Sequence, residues 1–259
     1  MGSRAVWEGY GMAKPTAIGA AARARRPATA RLAPLAPIAR ETLQERVYRE
    51  LRRALINGRF IPGQALTVNE LAGSLRTSAM PVREAVARLV SEQALEAASN
   101  RSVRVPPVDA DRLADLLQAR RVIEGTALEL AAHRLTAEDF SARRAANEDY
   151  ARIASRPSRH SLDAAFDANL AFHFRLYGAC GSPVLTRIIE SLWLQSGALV
   201  RSAIEAFRSD SAVSAFHFHS QILDSLERGD VDAAKVALAE DIGRAFALLS
   251  DKLDEKGAQ

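Results

Sequence analysis

The stretch Ser78 to Val90, SAMPVREAVARLV, gathers side chains suited to meeting an anion. Arg76 and Ser78 stand at its front, and Arg83 and Arg88 follow inside it. Ser78 is of the N-cap type, and Pro81 falls in the first turn, where a missing N–H does no harm. Val82, Ala85, Val86 and Leu89 recur at helical spacing. The spacing therefore predicts a helix to about Gln93, apolar on one side and cationic at its leading end. That end carries free backbone N–H groups that favour phosphate. Ser78 and Arg83 lie within about one and a half turns of each other, so both belong to it. Arg88 lies deeper and reads as a solvated charge, or as a partner for Glu84 four residues earlier. The single thiol, Cys180, sits in YGACGSPV, a helix end before a Gly-Ser-Pro turn, where a small residue fits. One cysteine excludes an internal disulfide and suits a reducing compartment. Of five histidines, His217 and His219 fall together in FHFHSQIL.

The elements that must position these groups follow from periodicity. Residues 1–40 carry seven Lys/Arg against one acid, interrupted by prolines, and read as a disordered basic tail. An Arg-rich, acid-poor start also fits an organelle transit peptide. From Thr42, Leu43, Val47, Leu51, Leu55 and Ile56 predict an amphipathic helix ended by Asn57-Gly58. Pro62-Gly63 makes a turn, and Thr67 with Glu70 three residues on predicts a capped short helix. After the Ser78 helix, ALEAASNRSVRVPPV predicts a hairpin of about three residues per strand around a polar tip. Three helices, a tight turn between the second and third, and a hairpin make a winged helix-turn-helix over 41–107. In that arrangement the third helix enters the major groove by its N-terminal end. Residues 108–259 are expected to form an all-α bundle of about six helices, near 109–134, 136–155, 161–178, 183–207, 210–228 and 231–255. The fold class expected is mainly α, with one small β-hairpin. Charge divides the same way: +6 over 1–40, +3 over 41–107 and −5 over 108–259. A basic front suits a polyanion. No run approaches the roughly 18–20 uncharged apolar residues of a membrane span, and a cytoplasmic location is expected.

The run INGRFIPGQALTVNELAGSLRTSAMPVREAVARLVSEQALE resembles the DNA-binding domain of the GntR family of bacterial regulators. Pro62-Gly63, Leu71-Ala72, Ser78, Pro81-Val82-Arg83-Glu84-Ala85 and Arg88-Leu89 carry the likeness. The helical remainder is similar to the FadR-type C-terminal effector domain, through RRVIEGTALELAA, NLAFHFRLYGACGSPVL and HSQILDSLERGDVDAA. The resemblance implies DNA contacts at Asn69, Ser78 and Arg83, and at Asn100 and Arg101 in the wing. Two positions depart from the family pattern: Ala79 stands where an Arg is common, and Ser102 where the wing glycine is usual. Arg76, where a glycine is usual, is expected to compensate in part for the missing arginine.

The same resemblance implies a pocket in the helical domain built from Asn169, His173, His219 and Asp241. In the family this set is an acid with a His four positions later, then two further His, and it often holds a divalent metal. Here Asn replaces the acid and Asp the last His. Two imidazoles and one carboxylate, with the Asn carbonyl as a weak fourth ligand, suit Zn, Ni, Mn or Fe. The alternative is a pair of core histidines without metal. Arg121 is expected to point inward above this site and bind an effector carboxylate bidentately, Arg120 facing outward. Otherwise Arg121 pairs with Glu124 or Asp115. The reading that follows is a transcription regulator, expected to act as a repressor, controlled by a small organic acid. As a homodimer it would read a palindromic operator in double-stranded DNA. Two alternatives stand beside it: a regulator for which metal is the signal, and a metalloenzyme using the two-His, one-carboxylate set.

Overall fold

The computed structural model describes residues 42–98, 102–107, 109–156, 158–207 and 214–257. The basic tail expected over 1–40 and the wing residues Asn100 and Arg101 lie outside them.

Thr42 caps α1, Leu43–Ile56, by accepting a hydrogen bond from the Glu45 N–H. Val47, Leu51 and Leu55 recur every four residues and are buried together. Gly58, at φ +59°, ends the helix where a side chain would be strained. A short strand β1, Ala65–Thr67, leads into α2, Val68–Ser74. Its start is a reciprocal capping box: Thr67 Oγ1 accepts from Glu70 N–H at 3.2 Å, and Glu70 Oε2 accepts from Thr67 N–H at 2.9 Å. Helix α3, Ala79–Ser91, packs Val82, Ala85, Val86 and Leu89 inward, the four apolar positions of the sequence pattern. Of the wing strands, β3 at Ser102–Arg104 has the expected three residues, and β2 at Glu96–Ala97 is one shorter. The sheet gains a third member, since β1 pairs antiparallel with β3 and the order is β1-β3-β2. Leu66 opposite Val103 supplies the buried pair that holds it.

Among the described residues six helices follow: α4 Ala110–Ala132, α5 Ala137–Ala154, α6 Arg159–Gly178, α7 Pro183–Phe207, α8 Ala215–Glu227 and α9 Val231–Gly257. The fold is mainly α, with a small antiparallel sheet, as the periodicity implies. Asp109, Thr136 and Ser158 each cap the helix that follows by accepting the N–H three residues on. The described part of α8 starts at Ala215; the expected start near 210 lies among residues 208–213, outside those described. The helical core is centred on Leu128, Phe166, Leu176, Trp193, Ile222 and Phe246. Cys180 is buried in the turn before α7, its sulfur accepting the Ser182 N–H at 3.3 Å. No helix among the described residues is long and apolar enough to cross a membrane.

The two cores meet where α1 packs on α7. Leu194 of α7 belongs to the core of the winged unit. Gly197 of α7 lies against the end of α1 so closely that a Cβ there would stand 2.0 Å from the Ile56 carbonyl oxygen. Around this approach Arg201 donates to the Asn57 carbonyl at 3.3 Å, Asn57 Nδ2 donates to Asp167 at 3.1 Å, and Arg52 pairs with Glu190 at 2.9 Å.

Candidate functional site

The leading end of α3 is open. Ser78 has the extended N-cap backbone, yet its hydroxyl makes no capping hydrogen bond, so the hydroxyl and the first-turn N–H groups remain to be satisfied from outside. Asn69, Arg76, Ser78 and Arg83 are all exposed. Among the described residues Arg83 makes no ion pair. Arg76 holds φ +50° in the turn between α2 and α3, a left-handed conformation that favours glycine. Local backbone bonding keeps it there, its N–H donating to the Gly73 carbonyl at 3.2 Å.

Arg88 is exposed, as expected of a solvated charge, but it has partners other than Glu84. Its guanidinium lies 3.6 Å from the Tyr48 ring centroid and pairs with Glu92 at 3.2 Å and Glu45 at 3.3 Å, not with Glu84. It ties α3 to α1. Tyr48 in turn donates its hydroxyl to Glu92 at 2.7 Å, and burial first, then Glu92, push the phenol up to about 12.

The helical unit brings a second set together. His173 of α6, His219 of α8 and Asp241 of α9 are buried, with ligand atoms all within 4.8 Å of one another. Nε2 of His173 lies 3.3 Å from Nε2 of His219 and 3.1 Å from Asp241 Oδ2. Groups that sequence reasoning missed set which nitrogens face inward. Asn147 spends both amide hydrogens on the Phe216 carbonyl and Ser220 hydroxyl, so its Oδ1 faces His219 Nδ1 at 3.0 Å and accepts that proton. Tyr177 gives its hydroxyl hydrogen to Glu124, so its oxygen accepts from His173 Nδ1 at 3.0 Å. With neutral rings both Nε2 atoms then present lone pairs toward each other, and that of His173 faces the Asp241 carboxylate, to which a proton on it would instead be donated. Burial first, and then His173 and Arg244, push the His219 imidazole well below its ordinary value, against the pull of Asp241. Burial alone raises the Asp241 carboxyl, but Arg244 at 3.0 Å, followed by His173, holds it well below the usual carboxylate range.

Three acceptors facing one another at these distances repel unless a cation or proton lies between them. Ligand atoms about 2.0–2.1 Å from a shared ion at the tetrahedral angle are about 3.3 Å apart, so the two separations from His173 Nε2 fit a metal, and the remaining pair lies within 4.8 Å. Asn169, one turn before His173 on α6, is buried and its Oδ1 has no hydrogen-bond partner. A buried carbonyl oxygen left in that state is a further donor atom of the right hardness.

Arg121 does not join this set, and the sequence expectation for the arginine pair is reversed. Arg120 points inward and is 2% exposed, bonded to Glu124 at 2.6 Å and to Ser196 at 3.4 Å, with its guanidinium 4.5 Å from the Trp193 ring. Arg121 is exposed and lies along α9, donating to the Ala239 carbonyl at 3.3 Å. The physical reason is the i,i+4 partner: only Arg120 has Glu124 in register to neutralise a buried guanidinium.

A winged helix-turn-helix followed by an all-α unit with a buried polar centre is the architecture of a DNA-binding transcription regulator. Residues 43–105 match the gntR family of bacterial regulatory proteins, and residues 115–244 match the FCD domain. The chain belongs to the GntR family of transcription regulators, in its FCD-containing branch. It is 28% identical over 208 residues to the HTH-type transcriptional regulator McbR of Escherichia coli (strain K12), covering 80% of this chain and 92% of that protein. It is 27% identical over 207 residues to a probable D-xylose utilization operon transcriptional repressor of Paenarthrobacter nicotinovorans, covering 79% of this chain and 88% of that one. The solved structure of E. coli McbR/YncC superposes with a TM-score of 0.72 at 27% identity, covering 82% and 99% of the two chains. These families and relatives are transcription regulators, a class the metalloenzyme alternative does not share.

Proposed function

We propose that the chain is a cytoplasmic homodimeric repressor. In this reading its α3 front edge reads a palindromic operator, and its buried centre holds a divalent metal that takes part in the response to a small organic acid. Asn69, Arg76, Ser78 and Arg83, with the wing residues Asn100 and Arg101, meet DNA: the exposed guanidiniums take phosphate or base edges, and the uncapped Ser78 hydroxyl and first-turn N–H groups take a phosphate oxygen. One winged unit, assigned to 41–107, spans only a few base pairs, so two copies related by a two-fold axis are needed for selectivity.

The observation that carries the ligand side is the convergence of His173, His219 and Asp241, with both imidazoles held in the tautomer that presents Nε2. A bound ion would supply positive charge that relieves the repulsion among these acceptors. His173, His219 and Asp241 would ligate it, and Asn169 Oδ1 stands as a fourth donor. Helix α7 can relay the state of this centre, because Trp193 and Ser196 touch Arg120 while the neighbouring Leu194 and Gly197 seat α1. A ligand alters operator affinity only if it binds the docked and undocked arrangements unequally.

A second reading, with the metal itself as the signal, is favoured by one observation. The inner arginine is already neutralised by Glu124 and offers an effector carboxylate no free fork. Titrating chelator-stripped full-length protein with Zn²⁺ and Mn²⁺ by calorimetry, alongside operator binding with and without metal, tests both. The expected result is one ion per chain, lost in His173→Asn and Asp241→Asn. A stripped protein that takes up no ion removes the metal from the account; one that binds an ion without change in operator affinity removes it as the signal.

A further inference from the structure

The displacement of Arg121 from the buried centre places it on a different cavity. A groove of about 570 Å³ runs between α4 and α9 under Phe218 of α8. This size lies within the range of small-molecule sites, about 300–1,000 Å³. Leu113 and Leu117 form one wall, Phe218 and Phe246 the other, and the polar groups are Arg121 and Glu240. Gly243 lets the arginine lie flat on α9, since a Cβ there would come 2.6 Å from the Arg121 Nη2. The Nε edge is anchored on the Ala239 carbonyl, and Arg121 lines the groove with its two terminal nitrogens outside that bond. Among the described residues no carboxylate lies within ion-pair distance of Arg121, Glu240 included. Arg120, one residue earlier, is already neutralised by Glu124. The helical unit thus holds one arginine closed by its own glutamate and one with its fork open beside apolar walls.

We infer that the Arg121 groove is a binding site for an amphipathic monocarboxylate, its carboxylate on the Arg121 fork and its hydrocarbon tail between Leu113, Leu117, Phe218 and Phe246. Complementary charge selects the head group, and the apolar walls select the tail. Glu240 on the same rim disfavours a second anionic group, so a dicarboxylate of equal length binds less well. The site is separate from the metal-ligand cluster, and it bears on the DNA-binding unit. Leu113 and Leu117 belong to the first half of α4, the helix that follows the wing strand β3 after residues 105–109. In the first turn of α4, Arg112 also donates to Gln195 of α7 at 3.2 Å. The inference names the effector class for the acid-responsive reading above and rests on that reading only for its effect on DNA.

Octanoate, octanol and suberate serve as probes, titrated by calorimetry into the full chain without DNA. Octanoate is expected to bind, and octanol and suberate to bind at least about tenfold more weakly. Arg121→Gln is expected to lose about tenfold or more in octanoate affinity. Gly243→Ala keeps the fold, because the atom it meets is the far end of a flexible side chain, and it too weakens octanoate by moving the guanidinium. His173→Asn leaves octanoate affinity within about twofold. Arg121→Gln within twofold of the parent, octanol binding as well as octanoate, or loss of binding in His173→Asn each overturns the site. So does a groove closed by a second copy, seen as Arg121→Gln changing the sedimentation coefficient with no octanoate binding in the parent. Octanoate that binds through Arg121 but leaves operator affinity unchanged supports the site and removes its regulatory role.

Discussion

Replacing Gly197 by alanine tests how the two units are joined. In the interior of α7 the change alone favours the helix by about 1 kcal/mol. The structure predicts the opposite sign. The new Cβ would stand 2.0 Å from the Ile56 carbonyl oxygen, 2.5 Å from that of Leu55 and 2.6 Å from the Ile56 carbonyl carbon. All three are backbone, so no rotamer relieves the clash, and α1 must retreat from α7 by roughly 1 Å or more to restore ordinary contact. That retreat stretches Arg201 to the Asn57 carbonyl and Asn57 Nδ2 to Asp167, two bonds that close the junction. Asn57 is buried and its Oδ1 already lacks a partner. Overpacking costs about 1–3 kcal/mol, and the two bonds about 1 kcal/mol each. Set against the helix gain, the net loss is about 2–4 kcal/mol. For a chain of this size that lowers Tm by roughly 5–15 °C in calorimetry. Gly125→Ala in mid-α4, where the nearest atom is Lys235 Cε at 3.8 Å, is the control and raises Tm by a few degrees. A Gly197→Ala protein as stable as its parent refutes the tight-junction reasoning.

Three further outcomes are expected. Arg76→Gly relieves the left-handed backbone and stabilises the protein by about 0.5–1 kcal/mol in denaturant unfolding, while operator binding weakens and becomes less salt-dependent. Asn147→Ala removes the acceptor that sets the His219 tautomer and weakens metal affinity about 10–100-fold, read by competition with a chromogenic chelator. Asp139 is held at about 2, first by the Arg143 hydrogen bond and then by the Thr136 backbone, against an ordinary value of 3.8. Its folded pKa is depressed, so it contributes stability above about pH 4 that is lost as pH falls through about 2. Asp139→Asn therefore lowers stability at neutral pH and flattens the acid limb of stability between those values, measured by unfolding across a pH series.

The helices were legible because cap, turn signals and apolar spacing agree: Thr67 with Glu70 starts α2, and Val82, Ala85, Val86 and Leu89 of α3 face inward together. The third strand was not, because β1 offers only Ala65, Leu66 and Thr67, too short for alternation to register. Adjacent arginines differ by about 100° around a helix, and α4 packs on several neighbours, so hydrophobic pattern alone could not orient Arg120 against Arg121. The signal that was present is Glu124, four residues after Arg120. Asn147, Tyr177 and Glu124 entered the buried centre unseen, as ordinary helix positions whose role depends on which helices meet. Gly197 gave no local sign of its task, since the carbonyls it accommodates lie more than a hundred residues away in sequence.

The central claim is that the open leading edge of α3 carries the DNA contacts, with Arg83 foremost. Fluorescence anisotropy of a duplex selected in vitro, titrated with parent and Arg83→Gln proteins across a range of salt concentrations, tests it directly. The account predicts an affinity loss of about tenfold or more and a log–log salt slope shallower by about one for each bound subunit. An unchanged affinity together with an unchanged slope would contradict it.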